Sequence, residues 1–126
     1  MPQITLKLSN NININTIDFD SLFAAIHTEL GSVPKMDNRT CFSGIIHEDY
    51  SYVGRGDESM PKIFLEILWL ETPERSLLKP VLAAKLMEIL VNHLKEPLRR
   101  QSLTCQPRVR IANLGDVNQD YYIYKP

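Results

Sequence analysis

The sequence predicts an α/β (α+β) fold in which a β-α-β unit occurs twice, so that two helices cover one face of one sheet. Residues 3–9 alternate between apolar and polar side chains, which is typical of a strand with one buried face. Residues 18–30 and 76–95 place apolar side chains at helical spacing, and residues 62–70 form a short apolar run that suits a strand.

The composition indicates a single domain spanning residues 1–126, with 14 basic against 15 acidic side chains. A formal charge of -1 gives no general attraction for nucleic acid or an acidic membrane, so neither is an expected partner. The sequence has neither the pattern of a secretory signal nor a run of about 18 apolar residues. Because Cys41 and Cys105 lie far apart, we expect two reduced thiols in a cytoplasmic protein.

In the first unit, alternation places three aliphatic side chains on the buried face of the strand: Ile4, Leu6 and Leu8. Asp18 can cap the helix that follows, and Gly31 with Pro34 ends it. The apolar stripe of this helix is formed by Phe19, Leu22, Phe23, Ile26 and Leu30. A second strand is expected over residues 39–47.

The strand at residues 62–70 is apolar on both faces. One face carries Ile63, Leu65, Ile67 and Trp69, and the other carries Phe64, Leu68 and Leu70. Two helices can cover only one face, so we expect the second face to be buried against another copy of the chain. The sequence therefore predicts a homo-oligomer. The preceding residues 49–61 have the composition of an exposed hairpin or loop.

The second helix is predicted over residues 76–95, with Pro80 in its first turn and either an end or a kink at Pro97. Its polar side consists of Lys85, Glu88, Asn92 and Lys95. Its apolar side, which includes Leu78, Val81, Leu82, Leu86, Ile89 and Leu90, can lie on the sheet. The last strand is predicted over residues 104–114, and the tyrosines within residues 121–126 indicate a tail docked on the domain.

The common catalytic signatures do not occur in the sequence, which has no phosphate-binding loop, no nucleophile elbow and no cluster of metal ligands. His27, His47 and His93 are scattered, and we interpret His27 and His93, which lie in helices among apolar neighbours, as structural or surface residues. His47-Glu48-Asp49 has the composition of a metal site but not the spacing of metal ligands. We therefore expect neither a metal nor a cofactor.

Pro2 is the chemical candidate that remains. Removal of Met1 would leave its ring nitrogen as a secondary amine, which can act as a base if burial and cationic neighbours lower its pKa toward neutrality. A proline at the first position of a strand, where a missing donor is harmless, explains the same residue without any catalysis. Pro2 alone leaves both interpretations open.

Further features accompany Pro2 over nearly the whole chain. The Met-Pro start leads directly into a strand with a Ser9-Asn10-Asn11 exit, and the first helix contains Leu22-Phe23-Ala24. Arg39 follows Pro34 by five residues, and Arg75-Ser76-Leu77 opens the second helix. Together with the doubled β-α-β layout, this pattern resembles the 5-carboxymethyl-2-hydroxymuconate delta-isomerase family of the tautomerase superfamily.

The resemblance implies a tautomerase-like fold assembled as a homotrimer, with sheets inside, helices outside and active sites near subunit boundaries. It implies that Pro2 is the general base that moves a double bond in a small unsaturated polycarboxylate, without cofactor or metal. The expected substrate is 5-carboxymethyl-2-hydroxymuconate, from the homoprotocatechuate branch of aromatic-compound catabolism. Arg39 and Arg75 match the family's arginine positions and would bind substrate carboxylates, to which guanidinium groups bind bidentately.

Two other functions stay open. A non-catalytic oligomeric binding protein could keep the same fold, and its biological activity would survive replacement of Pro2 by alanine. An RNA-binding module could use the basic cluster of Arg99, Arg100, Arg108 and Arg110. Against RNA, the strands carry aliphatic side chains where such modules display stacking aromatics.

Overall fold

The computed structural model describes residues 2–56 and 60–116. They form β1 (Gln3–Leu8), α1 (Phe19–Leu30), β2 (Phe42–His47), β3 (Ile63–Trp69), α2 (Pro73–Arg100) and β4 (Arg108–Asn113), with short 3-10 turns at Ile14–Thr16, Asn38–Thr40 and Leu114–Asp116. The strands form one sheet in the order β2-β1-β3-β4. β1 is parallel to β2, β3 is parallel to β4, and the central pair of β1 and β3 is antiparallel. The predicted doubled β-α-β unit is confirmed.

The core lies between the two helices and one face of this sheet. Leu6 of β1 is opposite Leu65 of β3, and both are fully buried. The same face carries Ile4, Leu8, Ile63, Ile67 and Trp69, none of which is more than 1% exposed. The alternation read from the sequence therefore identifies the buried face of both central strands.

α1 begins and ends where the sequence predicts. The Asp18 side chain accepts a hydrogen bond from the backbone N–H of Ser21 at 3.1 Å, which satisfies a free donor at the helix start. The side chains that α1 buries follow one helical stripe: Leu22, Ile26 and Leu30. At the other end, the backbone N–H of Gly31 donates to the carbonyl of His27 at 2.9 Å.

α2 extends beyond its predicted range at both ends. It begins after Thr72, whose side-chain oxygen accepts a hydrogen bond from the backbone N–H of Arg75 at 3.2 Å. Pro80 and Pro97 both lie inside the helix, so the predicted place of Pro80 in the first turn was wrong, and the helix does not end at Pro97 but continues to Arg100. Leucines at every fourth position are buried along it: Leu82, Leu86, Leu90, Leu94 and Leu98. Their burial outweighs the roughly 3 kcal/mol that an internal proline costs. No helix in the two described ranges is long and apolar enough to cross a membrane.

β2 begins at Phe42, three residues later than predicted. The physical reason is the Asp37 side chain, which accepts a hydrogen bond from the backbone N–H of Arg39 at 3.0 Å and caps a short 3-10 turn. Arg39 therefore lies in a turn before the strand, and the predicted start of the strand at residue 39 was wrong.

Three other expectations on the second half can be compared with the structure. β4 begins at Arg108 instead of residue 104, directly after Pro107, which has no N–H for a strand ladder. Val81, which was predicted to lie on the sheet, is 58% exposed on the outside of α2. The described part of residues 49–61 contains no strand, as expected of a loop. The predicted docking of residues 121–126 lies outside the described residues.

The second face of the sheet, called the open face below, points away from the helices. It carries the side chains that alternate with the buried ones, among them Lys7, Phe42, Ile46, Phe64, Leu68 and Arg108. Phe64 and Leu68 are half-buried, Phe42 is 67% exposed and Ile46 is 48% exposed. The single chain therefore does not bury this face, and Leu70 is 57% exposed beyond the end of β3. Phe42 and Phe64 also place two aromatic rings on this face, which corrects the expectation that the strands carry aliphatic side chains where RNA-binding modules display aromatic ones.

Candidate active site

The predicted site residues come from one end of the sheet, called the Pro2 edge below. Because β1 and β2 are parallel and β3 runs against them, the first residues of β1 and β2 meet the last residues of β3 at this edge. Pro2 is buried directly before β1, and its carbonyl oxygen accepts a hydrogen bond from the backbone N–H of Phe42 at 3.0 Å. Arg39 lies in the turn before β2, and Arg75 lies in the first turn of α2. The chain topology thus brings the three residues toward the same edge.

Arg75 is half-buried and already hydrogen-bonded to the main chain. Its Nη1 donates to the carbonyl of Leu70 at 2.8 Å, and its Nη2 donates to the carbonyl of Lys35 at 3.2 Å. Its Cζ atom lies 6.0 Å from the centroid of the Trp69 ring, within the range of a cation–π contact. These contacts tie the start of α2 to the end of β3 and to the segment after α1.

Arg39 is much more exposed and forms a two-point ion pair with Asp37. Its Nε donates to Oδ1 at 3.1 Å and its Nη2 donates to Oδ2 at 3.0 Å, while 87% of the Arg39 side chain is exposed. The hydrogen bonds from Arg39 hold the pKa of the Asp37 carboxyl below its usual value, because they stabilise its charged form. An ion pair this exposed contributes little to the stability of the fold.

The two guanidinium groups retain donors for a ligand. An arginine side chain carries five N–H donors, and the contacts to described residues use two on Arg39 and two on Arg75. A cleft of about 160 Å³ opens beside Arg75, with Lys35 and Glu74 in its wall. Neither Pro2 nor Arg39 lines this cleft. The fold therefore brings the three residues to one edge, but the cleft beside Arg75 does not include the other two.

Two other side chains, Trp69 and Cys41, lie at the Pro2 edge, and no motif in the sequence marks either of them as part of a site. Trp69 is fully buried, and its Nε1–H has no hydrogen-bond partner among the described residues. Cys41 is half-buried directly before β2, and burial raises the pKa of its thiol. Their positions at the end and the beginning of a strand are the only signals that could have identified them.

Two of the three histidines, His27 and His93, make contacts within the fold. Nε2 of His27 in α1 lies 2.5 Å from the hydroxyl oxygen of Ser43 in β2, so this pair connects the helix to the outermost strand of the sheet. Nδ1 of His93 lies 2.8 Å from the carbonyl oxygen of Ile89 within α2. The interpretation of His27 and His93 as structural residues agrees with these contacts, whereas Nε2 of His47 is buried with no hydrogen-bond partner among the described residues.

A larger cleft, of about 560 Å³, opens at the opposite end of the sheet from Pro2. Its wall combines three cationic side chains, Lys7, Lys62 and Arg108, with two aromatic ones, Tyr52 and Phe64. Sequence reasoning missed this cleft because its residues come from three strands and from the β2–β3 connection. Alternation in β1, which turns the side chain of Lys7 away from the buried side chains, was the one signal available.

Comparison with known proteins identifies the fold. No family model and no curated protein matches the chain. A structure of 5-carboxymethyl-2-hydroxymuconate delta-isomerase has a TM-score of 0.74 at 9% identity, covering 97% of this chain and 88% of that one. A 5-carboxymethyl-2-hydroxymuconate isomerase from Deinococcus radiodurans R1 has a TM-score of 0.68 at 11% identity, covering 96% and 90%. Macrophage migration inhibitory factor from Trichinella spiralis has a TM-score of 0.56 at 20% identity, covering 94% and 96%.

The chain therefore has the tautomerase-like fold that the resemblance in its sequence implies. Identities between 9% and 20% show the fold alone, since proteins that share a fold can differ in chemistry. The structures that share it include isomerases and an inhibitory factor. The substrate and the roles of Pro2, Arg39 and Arg75 stay predictions.

Proposed function

We propose that this chain is a cofactor-free isomerase that moves a carbon–carbon double bond in a small unsaturated polycarboxylate. The proposed substrate is 5-carboxymethyl-2-hydroxymuconate, an intermediate of aromatic-compound catabolism. Two isomerase structures share the fold over at least 96% of this chain and support the reaction class. The observation that carries the proposal is the buried position of Pro2, at the same edge of the sheet as the first turn of α2 with Arg75.

The proposed general base is the nitrogen of Pro2. Removal of Met1 converts an amide nitrogen into a secondary amine, which takes a proton from one substrate carbon and returns it to another. The buried surroundings of Pro2 would favour the neutral form of this amine, because desolvation penalises a charged ammonium group. The substrate gains and loses no atoms overall, so the protein supplies only a base and a binding site.

Arg39 and Arg75 are the proposed carboxylate-binding residues. Each already holds two oxygen acceptors, so a substrate carboxylate must use the remaining N–H groups or displace an acceptor. Displacing the exposed Asp37 carboxylate from Arg39 costs little. Displacing the two carbonyls from Arg75 would detach the start of α2, so Arg75 is expected to bind substrate through its remaining donors.

The proposed active form is a homotrimer in which neighbouring subunits cover the open face. Phe42 and Ile46 are 67% and 48% exposed there, and contiguous exposed apolar side chains mark an interaction surface. The resemblance stated above implies a trimer with its sheets inside. Cover from a neighbour would also enclose the Pro2 edge, where the cleft beside Arg75 includes neither Pro2 nor Arg39.

One alternative is supported by a specific observation. In the single chain, Arg39 donates hydrogen bonds to Asp37, and Arg75 donates to two main-chain carbonyls. Such contacts are expected if these arginines stabilise the fold and do not bind a substrate. The shared fold with macrophage migration inhibitory factor also agrees with a non-catalytic binding protein. Such a protein would bind a carboxylate or nothing, and would show no turnover.

Intact-mass measurement of the N-terminus, followed by an ultraviolet assay on 5-carboxymethyl-2-hydroxymuconate, tests the proposal. We expect protein without Met1 to turn over this substrate and Pro2→Ala to lower kcat at least about 100-fold, the usual size of a general-base contribution. Arg39→Gln and Arg75→Gln should mainly raise KM, because they remove binding contacts.

Pro97→Ala is the matched control, because Pro97 lies near the far end of α2 from Arg75. This variant should keep the wild-type kcat. Absence of turnover by protein that lacks Met1 would refute the isomerase. Turnover by protein that retains Met1 would refute Pro2 as its base.

A further inference from the structure

Trp69 is the last residue of β3 and the only tryptophan in the sequence. Its side chain is fully buried on the helix side of the sheet, and the Cζ atom of Arg75 lies 6.0 Å from the centroid of its ring. Among aromatic residues, tryptophan forms the strongest cation–π contacts, and they are stronger where water is excluded. The buried indole ring is therefore a fixed support for the guanidinium group.

Three contacts with described residues hold the guanidinium group of Arg75. Beside the Trp69 ring, they are the carbonyl oxygens of Leu70 and Lys35, at 2.8 and 3.2 Å from the nitrogens that donate to them. Arg39, by contrast, is paired with an exposed carboxylate, and 87% of its own side chain is exposed. A side chain that is already ordered in the free protein loses less conformational freedom when a ligand binds. Arg75 is thus the pre-organised member of the two proposed carboxylate-binding residues.

The indole N–H of Trp69 has no hydrogen-bond partner among the described residues, although the side chain is fully buried. A buried donor without a partner costs stability. A phenylalanine would fill much of the same space without this cost, but its ring is the weaker partner for a cation. A tryptophan at this position is therefore explained if its ring supports Arg75 in addition to filling the core.

We propose that Trp69 is a positioning residue for carboxylate binding, which holds the Arg75 guanidinium so that its remaining N–H donors are presented to one carboxylate arm of the substrate. The cleft beside Arg75, of about 160 Å³, is smaller than the roughly 300 Å³ at which complete ligand sites begin, so it suits one arm of a larger substrate. This inference rests on the carboxylate-binding role of Arg75 in the proposed function and does not depend on Pro2.

Steady-state kinetics on 5-carboxymethyl-2-hydroxymuconate test this role. We expect Trp69→Leu to raise KM about 2-fold to 30-fold, the range that cation–π contacts span, with little change in kcat. Trp69→Phe keeps an aromatic face and should stay closer to the wild-type KM. In the Arg75→Gln background, Trp69→Leu should raise KM no further, because the two residues act through one interaction.

The matched control is Phe23→Leu, which removes another ring that packs against the core, stacked on Phe19 within α1. This control should keep the wild-type KM. A thermal-unfolding measurement on each variant separates a change in KM from loss of the fold.

Fluorescence of the single tryptophan tests the same contact without any turnover. Titration with muconate, a conjugated dicarboxylate, should change the Trp69 emission saturably, because a carboxylate bound at Arg75 alters the electric field at the ring. The neutral dimethyl ester of muconate should leave the emission unchanged. Arg75→Gln should weaken muconate binding about tenfold or more, since it removes hydrogen bonds to a charged group. Arg100→Gln, at the far end of α2, should respond like the wild type.

Several outcomes would overturn the proposal: an unchanged KM in folded Trp69→Leu, an equal rise of KM in Phe23→Leu, or a further rise when Trp69→Leu is added to Arg75→Gln. An emission that does not respond to muconate, or that responds equally in Arg75→Gln, would overturn it even if Trp69→Leu does not fold. A wild type without turnover whose emission responds to muconate through Arg75 would refute the isomerase and support this inference. Turnover with an unresponsive emission would refute this inference alone.

Discussion

Replacing a single exposed side chain of the open face, Phe42, tests whether subunits assemble through this face. Burying a whole phenylalanine side chain contributes about 1.5–3 kcal/mol. Phe42 is 67% exposed, so covering the rest of it in an interface should contribute about 1–2 kcal/mol per subunit. Three such contacts in a trimer sum to about 3–6 kcal/mol, which corresponds to two to four powers of ten in the association constant. We therefore predict that Phe42→Ala strongly weakens the assembly.

Sedimentation velocity over a range of protein concentrations measures this effect directly. The main-chain bond from Phe42 to the carbonyl of Pro2 is kept in the alanine variant, so the strand pairing should survive. Leu77→Ala is the matched control, because Leu77 is 82% exposed on α2, on the helix side of the sheet. This control should assemble like the wild type.

Three results would refute this reasoning. A wild-type chain that stays monomeric at all concentrations would show that the open face needs no cover from another copy. Equal assembly of the wild type and Phe42→Ala would show that the interface lies elsewhere. Loss of assembly in Leu77→Ala alone would place the interface on α2. A thermal-unfolding measurement on each variant separates weaker assembly from loss of the fold.

The remaining predictions concern the fold of the single chain. Leu86→Ala should lower the free energy of unfolding by about 2–5 kcal/mol in urea denaturation, because Leu86 is fully buried, whereas Lys85→Ala on the exposed side should change it by less than about 0.5 kcal/mol. Asp18→Ala should lower the thermal midpoint near neutral pH. The hydrogen bond from the backbone N–H of Ser21 lowers the pKa of Asp18 in the folded state. The stability that this hydrogen bond contributes is therefore complete above the unfolded-state pKa and is lost as pH falls through the folded-state pKa. The alanine variant should lack this loss of stability in acid. Burial raises the pKa of the Cys105 thiol, so alkylation by iodoacetamide at pH 8 should be slower in the folded protein than in urea, as mass spectrometry can measure.

The first strand and the first helix could be predicted in detail because their signals are local. In β1, strict alternation identifies the buried face, and the register with β3 then pairs Leu6 with Leu65. In α1, Asp18 and Gly31 lie directly at the helix ends, so the cap and the stop are both visible in the sequence. These two elements are specified by residues close to their own boundaries.

The boundaries of α2 could not be predicted from local signals alone. A proline is an unfavourable residue inside a helix, and Pro97 is therefore a reasonable end point in a sequence. What decides the outcome is Leu98, which is only 8% exposed and continues the buried stripe past the proline. The benefit of that burial depends on the packing surface, which comes from other parts of the chain.

At the candidate site too, the residue types could be predicted from the sequence, but their contacts could not. The resemblance selects Arg39 and Arg75 as residue types, but their acceptors depend on the fold. Asp37 is two residues from Arg39 and could have been suspected as its partner, whereas the Lys35 carbonyl reaches Arg75 across 40 positions of sequence. A loss of activity in an Arg75 variant is therefore ambiguous until its stability is measured, since the same side chain anchors α2. Arg39 contributes little to the fold, so a change in its KM reports on substrate binding more directly, and it is the better residue for separating the isomerase from the binding protein.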